Sequence, residues 1–149
     1  MTDVAGGRGS TPELVVRVLV VLGLTVDAVV HLRLAPVMDI AAPGGVGGGT
    51  LFRLQGGVAA VAAVVLLLTG RRWSYAVAGL VALSALVPAL LYHVVDVPAI
   101  GPIPSMYDPL WSPEKVVSIA GEALSVALSL VGMRLVSRVA APGSVPPRA

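Results

Sequence analysis

The sequence predicts an all-α fold, a four-helix transmembrane bundle, and three observations carry that prediction. Hydrophobic residues fill 56% of the 149 positions and charged residues only 12%, against roughly 45 to 50% and about 25% in soluble domains. A chain this short is mostly surface, and so few charges cannot coat a surface that faces water. Four segments approach the roughly 20 apolar residues that a helix needs to cross hydrocarbon. Glycine, proline and capping residues separate those segments, and the whole of 1–149 reads as a single integral membrane domain.

The first span is expected over about 14–34. It is preceded by "TPE" at Thr11, which offers a hydroxyl N-cap, a proline at the first helical position and an acid near the positive helix end. A cleavable leader is the competing reading. The long apolar stretch, the weakly basic start and the placement of Asp27 and His31 where a small-residue cleavage motif belongs argue against it. The connection that follows, "APVMDIAAPGGVGGGT", is rich in glycine and is expected to be flexible. The second span covers about 51–69 and ends at "TGRRW", where Gly70 stops the helix and leaves room only for a tight turn. Spans two and three should therefore form an antiparallel hairpin.

The third span runs over about 73–97, with Pro88 as an internal kink. The next connection, "DVPAIGPIPSMYDPLWSPEK", is restricted by its prolines and carries apolar Ile100, Ile103, Met106, Tyr107, Leu110 and Trp111. This Pro-rich loop is expected to fold over the mouth of the bundle as a lid. A second cap, "SPE" at Ser112, opens the fourth span at about 115–135. The tails at 1–10 and 140–149 are rich in Gly, Ser and Pro and are expected to be mobile.

Basic residues favour cytoplasmic loops. With the N-terminus inside, Arg8, Arg17, Arg71, Arg72, Arg134, Arg138 and Arg148 fall on the inner side, and only Arg33, Arg53 and Lys115 on the outer. The chain is thus expected to be a multi-pass protein of the plasma membrane with both termini cytoplasmic. Trp73 and Tyr75 at one end, and Tyr92, Tyr107 and Trp111 at the other, suit interfacial belts.

Several function classes are disfavoured. With no cysteine there are no disulfides, thiolate metal sites or cysteine nucleophiles. A net charge of +2 with no basic run beyond Arg71 and Arg72 gives no footprint for nucleic acid. The glycine run at 44–49 lacks the lysine and hydroxyl of a phosphate loop. Ser84, Ser118, Ser125 and Ser129 lie on apolar helices, where serines bond neighbouring backbone or helices. No residue is assigned a catalytic role.

What remains is polar residues where hydrocarbon disfavours them. Asp27 lies seven residues inside Leu34, about 10 Å at helical rise, and Glu122 lies six residues inside Val116, about 9 Å. His31 shares a face with Asp27 at i+4, and Arg53, Gln55 and His93 sit nearer the same outer surface. Asp27, His31, Arg53, Gln55, His93 and Glu122 therefore form a candidate pocket open to the outside, for an ion, a lipid, a quinone or a small polar ligand. Within it His31, His93, Asp27 and Glu122 are candidate ligands for a divalent metal, with Met38 and Met106 as softer donors that would favour copper. No HxxxH or HExxH spacing reinforces the metal reading. The competing account is structural: Asp27 or Glu122 pairs with Arg53, His31 bonds Asp27, and the chain is a scaffold or accessory subunit with a membrane partner or a second copy of itself. Small-residue stripes support close helix packing in either case: Ser118, Glu122, Ser125, Ser129 and Gly132; Ala78, Ala82, Ala85, Ala89 and His93; and Gly56, Ala60 and Ala63.

The stretches "AVVHLRLAP" at 28–36, "LFRLQGGVA" at 51–59 and "VDVPAIGPIPSMYDPLW" at 95–111 followed later by "EK" resemble those of small four-span membrane proteins common in actinobacteria, most of which lack an assigned function. The likeness extends over about residues 12–136. It implies a four-helix integral membrane fold and no activity or ligand.

Overall fold

The computed structural model describes residues 10–139. The tails assigned to 1–10 and 140–149 fall, Ser10 aside, outside the described residues, together with Arg8, Arg148 and the side chain of Arg138. Four helices make the fold: α1 (Thr11–Ala41), α2 (Gly48–Thr69), α3 (Arg72–Val94) and α4 (Pro113–Val139). All four are long and apolar enough to cross a membrane. Among the described residues there is no strand, only an isolated antiparallel bridge between Ile100 and Ile103. At most 33% of each spanning stretch is buried within the bundle, so valine and leucine faces look outward. Hydrocarbon is the solvent that makes such faces stable, and the chain is a multi-pass membrane protein.

The helices stand in ring order. α1 packs on α2 and α4, α3 packs on the same two, and α1 touches α3 only narrowly across the middle. Two connections lie at one end, here the looped end: 42–47 between α1 and α2, and 95–112 between α3 and α4. The α2–α3 turn, the start of α1 and the end of α4 lie at the other, here the termini end.

Helix α1 outruns its expected limit at Leu34 by two turns, passing through Pro36 to close with Ala42 N–H on Met38 O at 3.1 Å. The extension is anchored sideways. Ala35 is buried, and Asp39 pairs with Arg53 of α2. Opposite it, α2 begins three residues early on Gly48 and Gly49, both buried. A Cβ on Gly48 would lie 2.8 Å from that of Ala42, and one on Gly49 would overlap the Asp39 carboxylate and approach Ala35 O to 2.6 Å. These two glycines serve close approach, which corrects the expectation that the whole stretch is a flexible loop. At the other helix starts, the N-cap of α1 is Ser10 rather than Thr11, and its side chain makes no capping bond. Ser112 does cap α4, its hydroxyl accepting from Lys115 N–H at 3.2 Å. Gly70 ends α2 in the left-handed region (φ 54°), with its N–H on Leu66 O at 2.9 Å. α3 stops at Val94, three residues short of the expected end, where Val95 is already extended (φ −128°, ψ 128°) and Pro98 disfavours helix at the residue before it.

The Pro-rich 95–112 segment is pinned on two sides. Val46 N–H donates to Pro102 O at 2.8 Å, and Asp108 N–H donates to Tyr92 O at 3.0 Å. The core is built of small residues, with Ala59, Ala62, Ala63, Ala78 and Ala82 packed around Val20, Leu24, Leu66 and Tyr75. Ala60, assigned to the packing stripe of α2, faces outward, and Ala59 and Ala62 take its place. Another close crossing joins α1 to α4. A Cβ on Gly23 would overlap Ser125 Oγ and lie 2.7 Å from Gly121 O, while one on Gly121 would lie 3.3 Å from Gly23 O.

Enlarging Gly23 should be felt where enlarging Gly57 is not, because a Cβ on Gly57 meets nothing within 4 Å. Gly23→Leu is expected to cost at least about 1 to 3 kcal/mol from overpacking. Gly57→Ala should be neutral or stabilising by roughly 0.5 to 1 kcal/mol, since alanine suits a helix interior better than glycine. Unfolding of the two variants in detergent checks the contrast, and equal effects would contradict the crossing.

Candidate functional site

The Gly23–Gly121 crossing sets the register of what lies beside it. Asp27 is one turn beyond Gly23 on α1, and Glu122 follows Gly121 on α4, so backbone contact at the glycines carries both carboxylates into the same interior space. Both are completely buried. His31, one further turn along α1, completes a triad. One ligand atom from each of Asp27, His31 and Glu122 lies within 4.8 Å of the others.

Hydrogen bonding is unequal across the triad. The Asp27 carboxylate accepts from Gln55 Nε2 at 3.0 Å through Oδ2. Its Oδ1 lies 2.6 Å from His31 Nδ1, but that nitrogen is directed at the Asp27 carbonyl oxygen, 3.0 Å away. Oδ1 is therefore close to the ring without a well-aligned donor. Glu122 accepts from Ser118 Oγ at 2.6 Å through Oε1. Its Oε2 is buried and has no partner. His31 keeps 14% side-chain exposure, and its ring packs against Phe52 with centroids 4.8 Å apart.

Gln55 ties the triad to the remaining helix. Its amide also donates to Val81 O of α3 at 3.2 Å, and its carbonyl oxygen accepts from Ser84 Oγ at 3.2 Å. Gly56 makes this possible, because a Cβ there would stand 2.8 Å from Leu32 and 3.0 Å from Ala28 O. All four helices thus supply one polar centre. Asp27, His31, Gln55 and Glu122 meet in it.

Arg53 and His93 do not. Arg53, two residues before Gln55 and so about half a turn nearer the looped end, forms a two-pronged pair with Asp39, at 2.9 and 2.6 Å, both side chains about half exposed. The expected pairing of Asp27 or Glu122 with Arg53 is accordingly replaced by Asp39–Arg53. The cause is the two extra turns of α1, which bring Asp39 opposite the first turn of α2. His93 lies at the end of α3 against Trp111, with centroids 4.2 Å apart. Its Nδ1 is buried without a partner. The expected depth also changes: Asp27 lies fourteen residues before the end of α1, about 21 Å at helical rise, rather than near its mouth.

A second ionic cluster, not anticipated from the sequence, closes the termini end. Glu13, buried at 3% exposure, accepts from Arg17 at 2.8 to 3.0 Å through both oxygens and from Tyr75 Oη at 2.8 Å. Arg17 also reaches Leu67 O at 3.5 Å. Its guanidinium fills the space that a Cβ on Gly70 would occupy. Tyr75 in turn fills the space beside Gly132. The Glu13–Arg17 spacing of four was a visible signal, but the contribution of Tyr75 from a distant helix was not.

No family model, curated protein or solved structure matches this chain.

The two partners of Glu13 at the termini end should differ in cost. Arg17→Ala leaves Glu13 buried and uncompensated and is expected to destabilise by about 3 to 5 kcal/mol. Tyr75→Phe removes one of several hydrogen bonds to the same carboxylate, for about 1 kcal/mol. Denaturant titration in mixed micelles measures both, and a Tyr75→Phe cost equal to that of Arg17→Ala would refute the assignment of Arg17 as the counter-charge.

Proposed function

We propose that this chain is a plasma-membrane protein, with both termini cytoplasmic, that binds a cation at Asp27, His31 and Glu122, the fitting class being a divalent first-row metal ion. The observation that carries this reading is the unpartnered, fully buried Glu122 Oε2 beside a second carboxylate and an imidazole. With both carboxylates ionised the centre would carry net negative charge even beside a protonated imidazole, and none of the contacts at the centre involves Lys or Arg. Net charge within a membrane is costly unless it is compensated. A bound cation supplies what the centre lacks.

The donor set of one imidazole nitrogen and two carboxylates suits Zn²⁺, Mn²⁺ or Fe²⁺. Copper through thioethers has less support, because Met38 lies eleven residues along α1 from Asp27, about 16 Å, and Met106 lies in the 95–112 segment. A lipid, quinone or other bulky ligand also has less support at this centre. Asp27 and Glu122 have no exposure, and the clefts at the two ends of the bundle are lined by other residues. Of the three ligands only His31 retains exposure, so exchange of an ion runs past its ring.

Purified full-length protein dialysed against Zn²⁺, Mn²⁺ or Fe²⁺ is expected to retain about one ion per chain by elemental analysis. His31→Ala and Glu122→Gln should stay helical by circular dichroism and hold less than about a tenth as much. Absence of bound metal under all three conditions, or equal retention by the variants, overturns the proposal and leaves the network as scaffolding. Orientation has its own test, since a chain without cysteine accepts unique labels. Ala99→Cys should react with a membrane-impermeant maleimide in intact cells and Arg71→Cys only after permeabilisation. The reverse pattern would invert the topology.

A further inference from the structure

At the termini end a cleft of about 420 Å³ opens between the start of α3 and the last turns of α4. Arg72 lines one side. Leu130, Met133, Arg134 and Ser137 line the other, at spacings of three, four and seven that place them on one face of α4. The polar and apolar parts are ordered along the helix axis. Leu130 and Ser137 are seven residues apart, about 10 Å, so apolar wall gives way to guanidinium towards the helix end.

Charge at this end is unbalanced. Glu13 is the only acid that the described helices place there, and Arg17 already occupies it. Among the described residues, the guanidiniums of Arg72 and Arg134 make no ion pair and no side-chain hydrogen bond, and Arg71, next to Arg72 in the chain, adds a third positive charge to this end. Guanidinium binds phosphate oxygens in a two-pronged geometry. Basic clefts between membrane helices, at the level of the headgroups, suit anionic lipid.

We infer that this cleft is a binding site for an anionic phospholipid, with Arg72 and Arg134 on the phosphodiester and Leu130 and Met133 against the upper acyl chain. The apolar wall selects a lipid over free phosphate. The paired positive charges select a headgroup without a compensating ammonium, as in phosphatidylglycerol or cardiolipin, over phosphatidylcholine. This site is separate from the Asp27–His31–Glu122 centre, and either assignment can fail alone.

The test is thermal unfolding of the full-length protein in detergent, titrated with phosphatidylglycerol, phosphatidylcholine or inorganic phosphate. Wild type and Glu122→Gln should be stabilised by phosphatidylglycerol and not by the other two. R72Q/R134Q should require about 30-fold more phosphatidylglycerol for the same shift, from two basic side chains near the membrane surface, whereas R72K/R134K, which keeps the charge and loses the two-pronged geometry, should fall between it and wild type. Arg134→Gln alone, at an exposed position, should lose about fivefold, which keeps the result readable if the double variant is unstable. Equal stabilisation by phosphatidylcholine, an unchanged response in R72Q/R134Q and Arg134→Gln, or the same shift from inorganic phosphate overturns the inference.

Discussion

Helix α1 meets α4 backbone to backbone at Gly23 and Gly121, and the polar centre depends on that contact. Membrane helices gain little from hiding apolar surface from one another, because lipid tails are as apolar as leucine; close packing and interhelical hydrogen bonds hold them together instead. The glycines permit the approach, the serine stripe of α4 lies along it, and Ser125 Oγ comes within 3.5 Å of Val20 O. Once the two backbones touch there, Asp27 and Glu122 have no route to lipid. A second glycine, Gly56, does the same for α1 and α2, delivering Gln55 to the Asp27 carboxylate and to the backbone of α3. Positions that carry no side chain thus decide which side chains meet.

The same logic explains the looped end. Gly48 and Gly49 admit the last turns of α1, which bring Asp39 to Arg53 and leave the triad without that arginine. Gly45, with φ 55°, lies against Pro102 O where a side chain would collide, which lets the 95–112 segment rest on the first connection. Lys115 is held there by Asp108, at 3.0 Å from its carboxylate and in contact with its carbonyl oxygen. Each cation at this end with an ionic partner is matched to an acid outside the triad.

Much of this was legible in the sequence for simple reasons. Four apolar runs divided by Gly70, by the glycine run and by five clustered prolines admit one fold class in lipid. The convergence of Asp27, His31 and Glu122 followed from an i,i+4 spacing and a serine stripe, since a polar face in hydrocarbon has to face protein. What could not be read was longer in range. The extension of α1 through Pro36 depends on a partner helix that receives it, so local sequence does not reveal Asp39–Arg53 and points Arg53 towards Asp27 or Glu122 instead. Tyr75 looked like an interfacial aromatic because nothing local links it to Glu13, sixty-two residues away. His93 shares a stripe with Ala78, Ala82 and Ala85, but its ring is captured by Trp111 from the following segment, beyond the reach of helical periodicity.

Helix α1 carries two buried acids, and their different treatment bears on what the centre is for. Glu13 is given a guanidinium four residues away and a phenol from α3, so its oxygens are occupied and its charge is opposed. That is how this fold builds an ionic lock, and the arrangement has no vacancy for a further positive group. Asp27 lies fourteen residues on, with the same i+4 position filled by an imidazole instead of an arginine and with a second carboxylate brought in from α4. If helix registration were the only requirement, an arginine at the position of His31 would meet it, as Arg17 does for Glu13. The histidine offers a nitrogen that can ligate when neutral, α4 adds a second carboxylate, and two buried oxygens, Asp27 Oδ1 and Glu122 Oε2, are left without a hydrogen-bond donor. Those are properties that a cation uses and that a structural pair does not need.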